Sequence, residues 1–214
     1  MAKACRSTGE ATTKALLEIL GIGFVESSTD TSSGVALGVE VVFESVVRES
    51  WTAFEDLIRE LWGALLDNDD GTVDGRVTGE LRKPHKSVVP TFNKKTHPGS
   101  FQIETRQVVF QRMDDIKRLY AVALGPAAEK LFDDVEAGYI QVLYAFRNVL
   151  AHKRGRADTT FRDQIANYPE FNKIKLRQQI VLDGESTRKM RDAAMVLGRK
   201  LVELADKELQ RQKP

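Results

Sequence analysis

The stretch Tyr144-Ala-Phe146-Arg147-Asn148-Val149-Leu150-Ala-His152-Lys153-Arg154-Gly155 closes an apolar helical run with a cluster of polar chemistry. A helix repeats every ~3.6 residues, so Asn148 and His152 fall one turn apart on one face. Arg147 is offset from Asn148 by about 100°, close enough for its long side chain to bend toward the imidazole. Phe146, Val149 and Leu150 supply the stripe that buries the helix, which leaves the polar triplet at the edge of that stripe. An imidazole passes protons near neutral pH. A guanidinium is always charged and forks onto two phosphate oxygens. The pair suits metal-free attack on a phosphodiester, in which one group moves protons and the other holds developing charge. Gly155 stops the helix, and Lys153 and Arg154 complement the negative end of its dipole.

Working outward, apolar residues at helical spacing predict the helices around this one. Phe43, Val47, Trp51, Phe54, Ile58, Leu61 and Leu65 predict a first long helix over about 39–66. Val109, Met113, Ile116, Tyr120 and Leu124 predict a second over about 106–124, which Gly125-Pro126 breaks. Leu131, Val135, Tyr139, Val142, Phe146 and Val149 carry the third, over about 127–154. Met190, Ala194, Leu197, Leu201 and Leu204 predict a last helix capped by Ser186. Residues 67–105 lose all periodicity and read as an inserted loop, acidic at first and then basic, with a short hairpin near Val88-Val89. Residues 174–183 alternate in part and predict a strand or hairpin arm. Residues 11–20 predict a short amphipathic helix and 26–34 a Ser/Thr-rich linker, which together make 1–35 an extension to a domain spanning 36–210.

The fold class is therefore all-α. Arginine, a polar residue, three more residues and histidine, near the end of the third long helix, resembles the R-x4-6-H motif of HEPN domains. Ser50-Trp51-Thr-Ala-Phe54-Glu55-Asp56-Leu57-Ile58 resembles that superfamily's first bundle helix, with its acidic pair amid aromatics. Gly155-Arg156-Ala-Asp158 resembles the short turn after the motif histidine. The resemblance covers roughly 36–210. It implies an up-and-down bundle of four to five helices, with the long insertion loop and a short extended segment before the last helix. It also implies a metal-independent endoribonuclease in a toxin or antiviral-defence setting, acting through 2′-hydroxyl attack as a homodimer with two motifs facing one cleft. In that reading His152 transfers protons, Arg147 clamps the phosphate and Asn148 orients. Lys153, Arg154 and Arg156 neutralise RNA phosphates. An antitoxin or another defence protein is a further implied partner. One departure stands out: the tyrosine that many toxin members carry two positions after the histidine is replaced by Arg154, so regulation through that tyrosine is not expected. The alternatives are a non-catalytic HEPN-like module that binds nucleotide, RNA or protein, and a plain interaction bundle whose polar cluster is structural. A salt bridge from Arg147 to, for example, Glu55 or Asp56 is compatible with the catalytic role, because it would hold the guanidinium in place.

Composition narrows the remaining classes. The chain has 214 residues, 42% hydrophobic and 29% charged, as an ordinary globular domain does. Its formal charge of +1 makes any nucleic-acid affinity a matter of local patches. A single cysteine, Cys5, rules out an intramolecular disulfide and a cysteine-rich metal site. Asp70-x-Thr72-x-Asp74-Gly75 imitates a calcium loop but has Leu81 at the twelfth position. His85 and His97 lack ligand partners at zinc spacing. No cofactor or metal is expected. No run approaches the ~20 apolar residues of a membrane span, and no apolar core follows the basic N-terminus, so a cytoplasmic protein is expected.

Overall fold

The computed structural model describes residues 31–85 and 87–212, so the helix expected at 11–20 and most of the linker at 26–34 lie outside it. Among the described residues there are eight α-helices and no named strand, and the all-α fold holds. The helices are α1 (Thr31–Asp67), α2 (Thr72–Val77), α3 (Pro98–Glu104), α4 (Met113–Leu124), α5 (Pro126–Asp133), α6 (Val135–His152), α7 (Thr159–Ile165) and α8 (Gly184–Arg211). Helix α1 starts earlier than its apolar pattern, so the boundary expected between residues 35 and 36 falls inside it. None of the helices is long and apolar enough to cross a membrane.

Three long helices make the frame. Helices α1 and α8 run parallel. Phe43 lies against Gly184, Leu57 against Gly198 and Asp69 against Gln212, a near-constant offset along both. Helix α6 runs antiparallel to α1, since Arg48 reaches the Leu150 carbonyl while the Trp51 and Tyr144 rings meet 5.1 Å apart. It is antiparallel to α8 as well, with Tyr139 beside Lys189 and Asp134 beside Lys200. The apolar stripes of the three converge. Trp51, Ile58, Trp62 and Leu65 of α1, Leu143 and Phe146 of α6, and Met190 and Leu201 of α8 are all buried. Trp51, Trp62 and Phe54 are thus core residues, as their spacing indicates, each contributing about 1.5–3 kcal/mol or more by leaving water.

The expected third helix is two. Gly125, at φ 79°, turns the chain after α4, and Pro126 opens α5. At Asp134 the backbone becomes extended (ψ 142°) and α6 begins, with the Asp134 carbonyl accepting from Gly138. Ion pairs from Lys117 to Asp133 and from Lys200 to Asp134 hold this corner. Periodicity continues across the break because both helices present their apolar stripe to the same core.

Residues 67–105 are also more ordered than their lost periodicity suggests. They contain α2, a 3₁₀ turn at Thr78–Glu80, and α3. The acidic run supplies caps. Asp69 accepts from the backbone of Gly71, Val73 and Asp74 at the start of α2. Asp67 accepts from Gly99 and Ser100 at the start of α3. These carboxylates satisfy helix N–H groups that otherwise lack partners. At Val88 the chain makes only a turn back to His85, without a hairpin ladder.

The segment over 174–183 forms no strand. It makes one antiparallel bridge, Gln179 to Arg156, flanked by Ala157 N–H to Gln178 C=O and Ile180 N–H to Gly155 C=O. The polar connection before it holds α7 and a 3₁₀ turn at Pro169–Phe171. Phe161 and Phe171 from these pieces pack edge-on against Phe146. The cap of α8 is Asp183 rather than Ser186. Its carboxylate accepts from the Ser186 N–H and hydroxyl.

Candidate functional site

The last two turns of α6 set the site. Val149 and Leu150 are buried, Arg147 and Asn148 are half-buried at the margin, and His152 is exposed. The Arg147 guanidinium bends along the helix and donates to the Asn148 side-chain oxygen at 3.0 Å. The side chain that helix geometry would let bend toward the imidazole turns to the neighbouring amide instead. His152 makes no hydrogen bond or ion pair among the described residues, to Arg147 or otherwise.

The ion pair expected from Arg147 to Glu55 or Asp56 does not form among the described residues. Both Glu55 and Asp56 are bound by Arg59, at 2.9 and 3.0 Å, and Glu55 also accepts from the Trp51 indole. Arg147 has no carboxylate partner among the described residues. A half-buried guanidinium with one neutral hydrogen bond keeps most of its donors for an anion.

After His152 the chain leaves the helix through two successive residues of positive φ, Arg154 (51°) and Gly155 (70°). The Gly155 N–H returns to the Val149 carbonyl at 3.1 Å and closes the turn. Glycine suits this backbone conformation, and a Cβ here would lie 2.6 Å from the amide nitrogen at the far end of the exposed Gln179 side chain. Lys153, Arg154 and Arg156 are exposed. Lys153 leans toward Asp158 at 3.7 Å, and the Asp158 carboxylate caps α7 by accepting from Phe161 N–H.

Arg48 is a residue at this helix end that the sequence does not reveal. From α1 its guanidinium donates to the Leu150 carbonyl at 3.1 Å, satisfying an end-of-helix acceptor next to His152 while also pairing with Glu44. The contact spans 102 residues, so no local pattern predicts it. Arg177 is a second such residue. It stands at φ 66° on the segment bridged to the turn after His152, and its N–H donates to the Ala157 carbonyl.

Two clefts among the described residues are lined by other side chains. One of about 300 Å³ lies among Arg162, Ile165, Ala166, Phe171, Asn172 and Ile174. The other, about 530 Å³, sits between the acidic caps of Asp67 and Asp69 and the lysines Lys94 and Lys95. At the other end of α6, the Tyr139 hydroxyl holds the Glu170 carboxyl below the usual range, and burial first, then Glu170, pushes the Tyr139 phenol up. The backbone of Ser186 lowers the Asp183 carboxyl.

No protein-family model, no characterised protein and no solved structure matches this chain. The chemistry of the residues therefore carries the functional argument.

Proposed function

We propose that this chain is a metal-independent endoribonuclease of HEPN type, with Arg147, Asn148 and His152 as its working residues. The observation that carries the reading is Arg147: a half-buried guanidinium, oriented by a neighbouring amide, whose candidate carboxylates are engaged by Arg59. A phosphodiester fits that vacancy in charge and geometry, because a guanidinium donates in a fork to two oxygens.

In the reaction an imidazole takes the proton of a ribose 2′-hydroxyl. The 2′-oxygen attacks the adjacent phosphorus, the bond to the 5′-oxygen breaks, and that oxygen receives a proton. The products are a cyclic phosphate and a 5′-hydroxyl. Arg147 stabilises the extra charge on the phosphorus oxygens at the transition state. One imidazole serves poorly as base and acid in a single turnover, so a second copy facing the first would bring the other His152. Exposure of His152 suits a group completed by a partner. A toxin or defence setting, with an antitoxin or another defence protein as partner, follows from the HEPN resemblance alone.

The test is cleavage of end-labelled RNA in excess chelator. Arg147→Ala and His152→Ala should each lower the rate by about 10²–10³ or more, with unchanged circular dichroism. Cleavage by either variant at the parental rate refutes the assignment. A second reading, a non-catalytic module binding RNA or nucleotide, is favoured by the lack of contact between Arg147 and His152. It predicts salt-sensitive binding with no cleavage by the parent chain.

A further inference from the structure

The turn after α6 and the segment before α8 are far apart in sequence, yet the bridge between Arg156 and Gln179 makes them neighbours. Residues 147–179 contain eight lysines and arginines against three carboxylates, in a chain whose formal charge is only +1. The remainder is therefore net acidic as a whole, although residues 82–95 form a second basic stretch, with five lysines and arginines and no carboxylate. Within it Arg154, Arg156 and Arg177 are exposed, and the side chains of all three lack hydrogen-bond or ion-pair partners among the described residues. The carboxylate closest to them in the chain, Asp158, is turned to the N–H of Phe161 and to Lys153.

The backbone makes the arrangement specific. Arg154 and Arg177 both occupy left-handed conformations, at φ 51° and 66°, which cost an L-residue about 1–2 kcal/mol. Glycine would fill either position without that cost. Arginine stands at both, on two adjoining turns tied by Ala157 N–H to Gln178 C=O, Arg177 N–H to Ala157 C=O and Ile180 N–H to Gly155 C=O. The bridge and these bonds set the two turns that carry the three arginines next to each other.

We propose that Arg154, Arg156 and Arg177 form a phosphate-binding track for a single RNA strand that leads to the triplet at the end of α6. The inference rests on the ribonuclease reading for the nature of the strand. Arg177 is its new element, since it joins the track only through tertiary pairing. A track of this kind contributes through counterion release, so each phosphate contact should add about 0.7 to the slope of log affinity against log salt.

The experiment measures binding of a fluorescein-labelled single-stranded RNA of about 20 nucleotides to the full chain carrying His152→Ala, at graded potassium chloride. Added substitutions Arg177→Gln and Arg156→Gln should each reduce the slope by about 0.7, the pair by about 1.4. Arg177→Lys should restore the parental slope. Arg199→Gln, which removes an equal charge from α8, should leave it unchanged. An unchanged slope in Arg177→Gln overturns the proposal, as does an equal loss in Arg199→Gln, which means diffuse attraction. Failure here is separable from failure of the catalytic reading. Cleavage by the parent chain with no Arg177 effect on binding removes only the track. Arg177-dependent binding without cleavage removes only the nuclease.

Discussion

Replacing Gly155 by alanine tests the turn that ends α6, and the sign of the effect is the informative part. Where glycine has an ordinary backbone angle, alanine stabilises a protein by about 0.4–1 kcal/mol by restricting the unfolded chain. Gly155 stands at φ 70°, where an L-residue is strained by about 1–2 kcal/mol. The added methyl would lie 2.6 Å from Gln179 Nε2, 3.6 Å from its Cδ and 3.7 Å from Leu150 Cδ2. Gln179 is exposed, so its amide can swing away at small cost, and Leu150 is at ordinary contact. The loss should then be mostly backbone strain: about 1–2 kcal/mol in urea unfolding, or a fall in Tm of about 2–8 °C for a chain of this size. Gly155→Ala combined with Gln179→Ala isolates that term. Because the clash disappears, the double variant should keep most of the loss found in the single one. Gly155→Ala as stable as the parent, or more stable, refutes the conformation assigned to this turn. Full rescue by Gln179→Ala would place the cost in side-chain crowding instead.

Other substitutions probe the frame that holds the site. In Gly99→Ala the methyl meets Leu66 Cβ at 2.8 Å and the Gly63 carbonyl at 2.9 Å, neither able to swing aside. A loss of about 1–3 kcal/mol in urea unfolding is expected, and a neutral result would mean that α3 does not pack this closely on α1. Trp62→Phe removes the N–H that Gln102 accepts at 3.1 Å inside the core. It should cost about 1–3 kcal/mol beyond the lost ring area, part of which Gln102→Leu in the same chain recovers. Asp183→Ala should cost about 0.5–2 kcal/mol by uncapping α8, whereas Asp183→Asn, which also caps, should cost little near neutral pH. The Asp183 carboxyl is lowered in the folded chain by the Ser186 N–H, so its contribution is present above the ordinary value of about 3.9 and fades as pH falls through the lowered one. Asp183→Asn should therefore flatten stability against pH below about 4, and an identical acid limb in both chains counts against the cap.

The sequence by itself determined the helical class, the core stripes and the identity of the candidate residues. Trp51, Trp62 and Phe146 are buried because apolar spacing of three and four makes a continuous face, and that spacing is visible in one dimension. Gly125-Pro126 ends one helix and starts the next for equally local reasons. Tertiary structure decided what depends on partners distant in the chain. Asp67 caps a helix that begins 31 residues later, which turned an apparently unstructured loop into α3. The parallel course of α1 and α8, the grip of Arg48 on Leu150 and the meeting of Arg156 with Gln179 are of the same kind. The engagement of Glu55 and Asp56 by Arg59 is by contrast local, four and three residues apart on one helix. A hydrogen bond or ion pair acts over a few ångströms, whatever the separation along the chain. Local pattern therefore predicts which residues turn inward, and only the packed chain fixes which polar groups find each other.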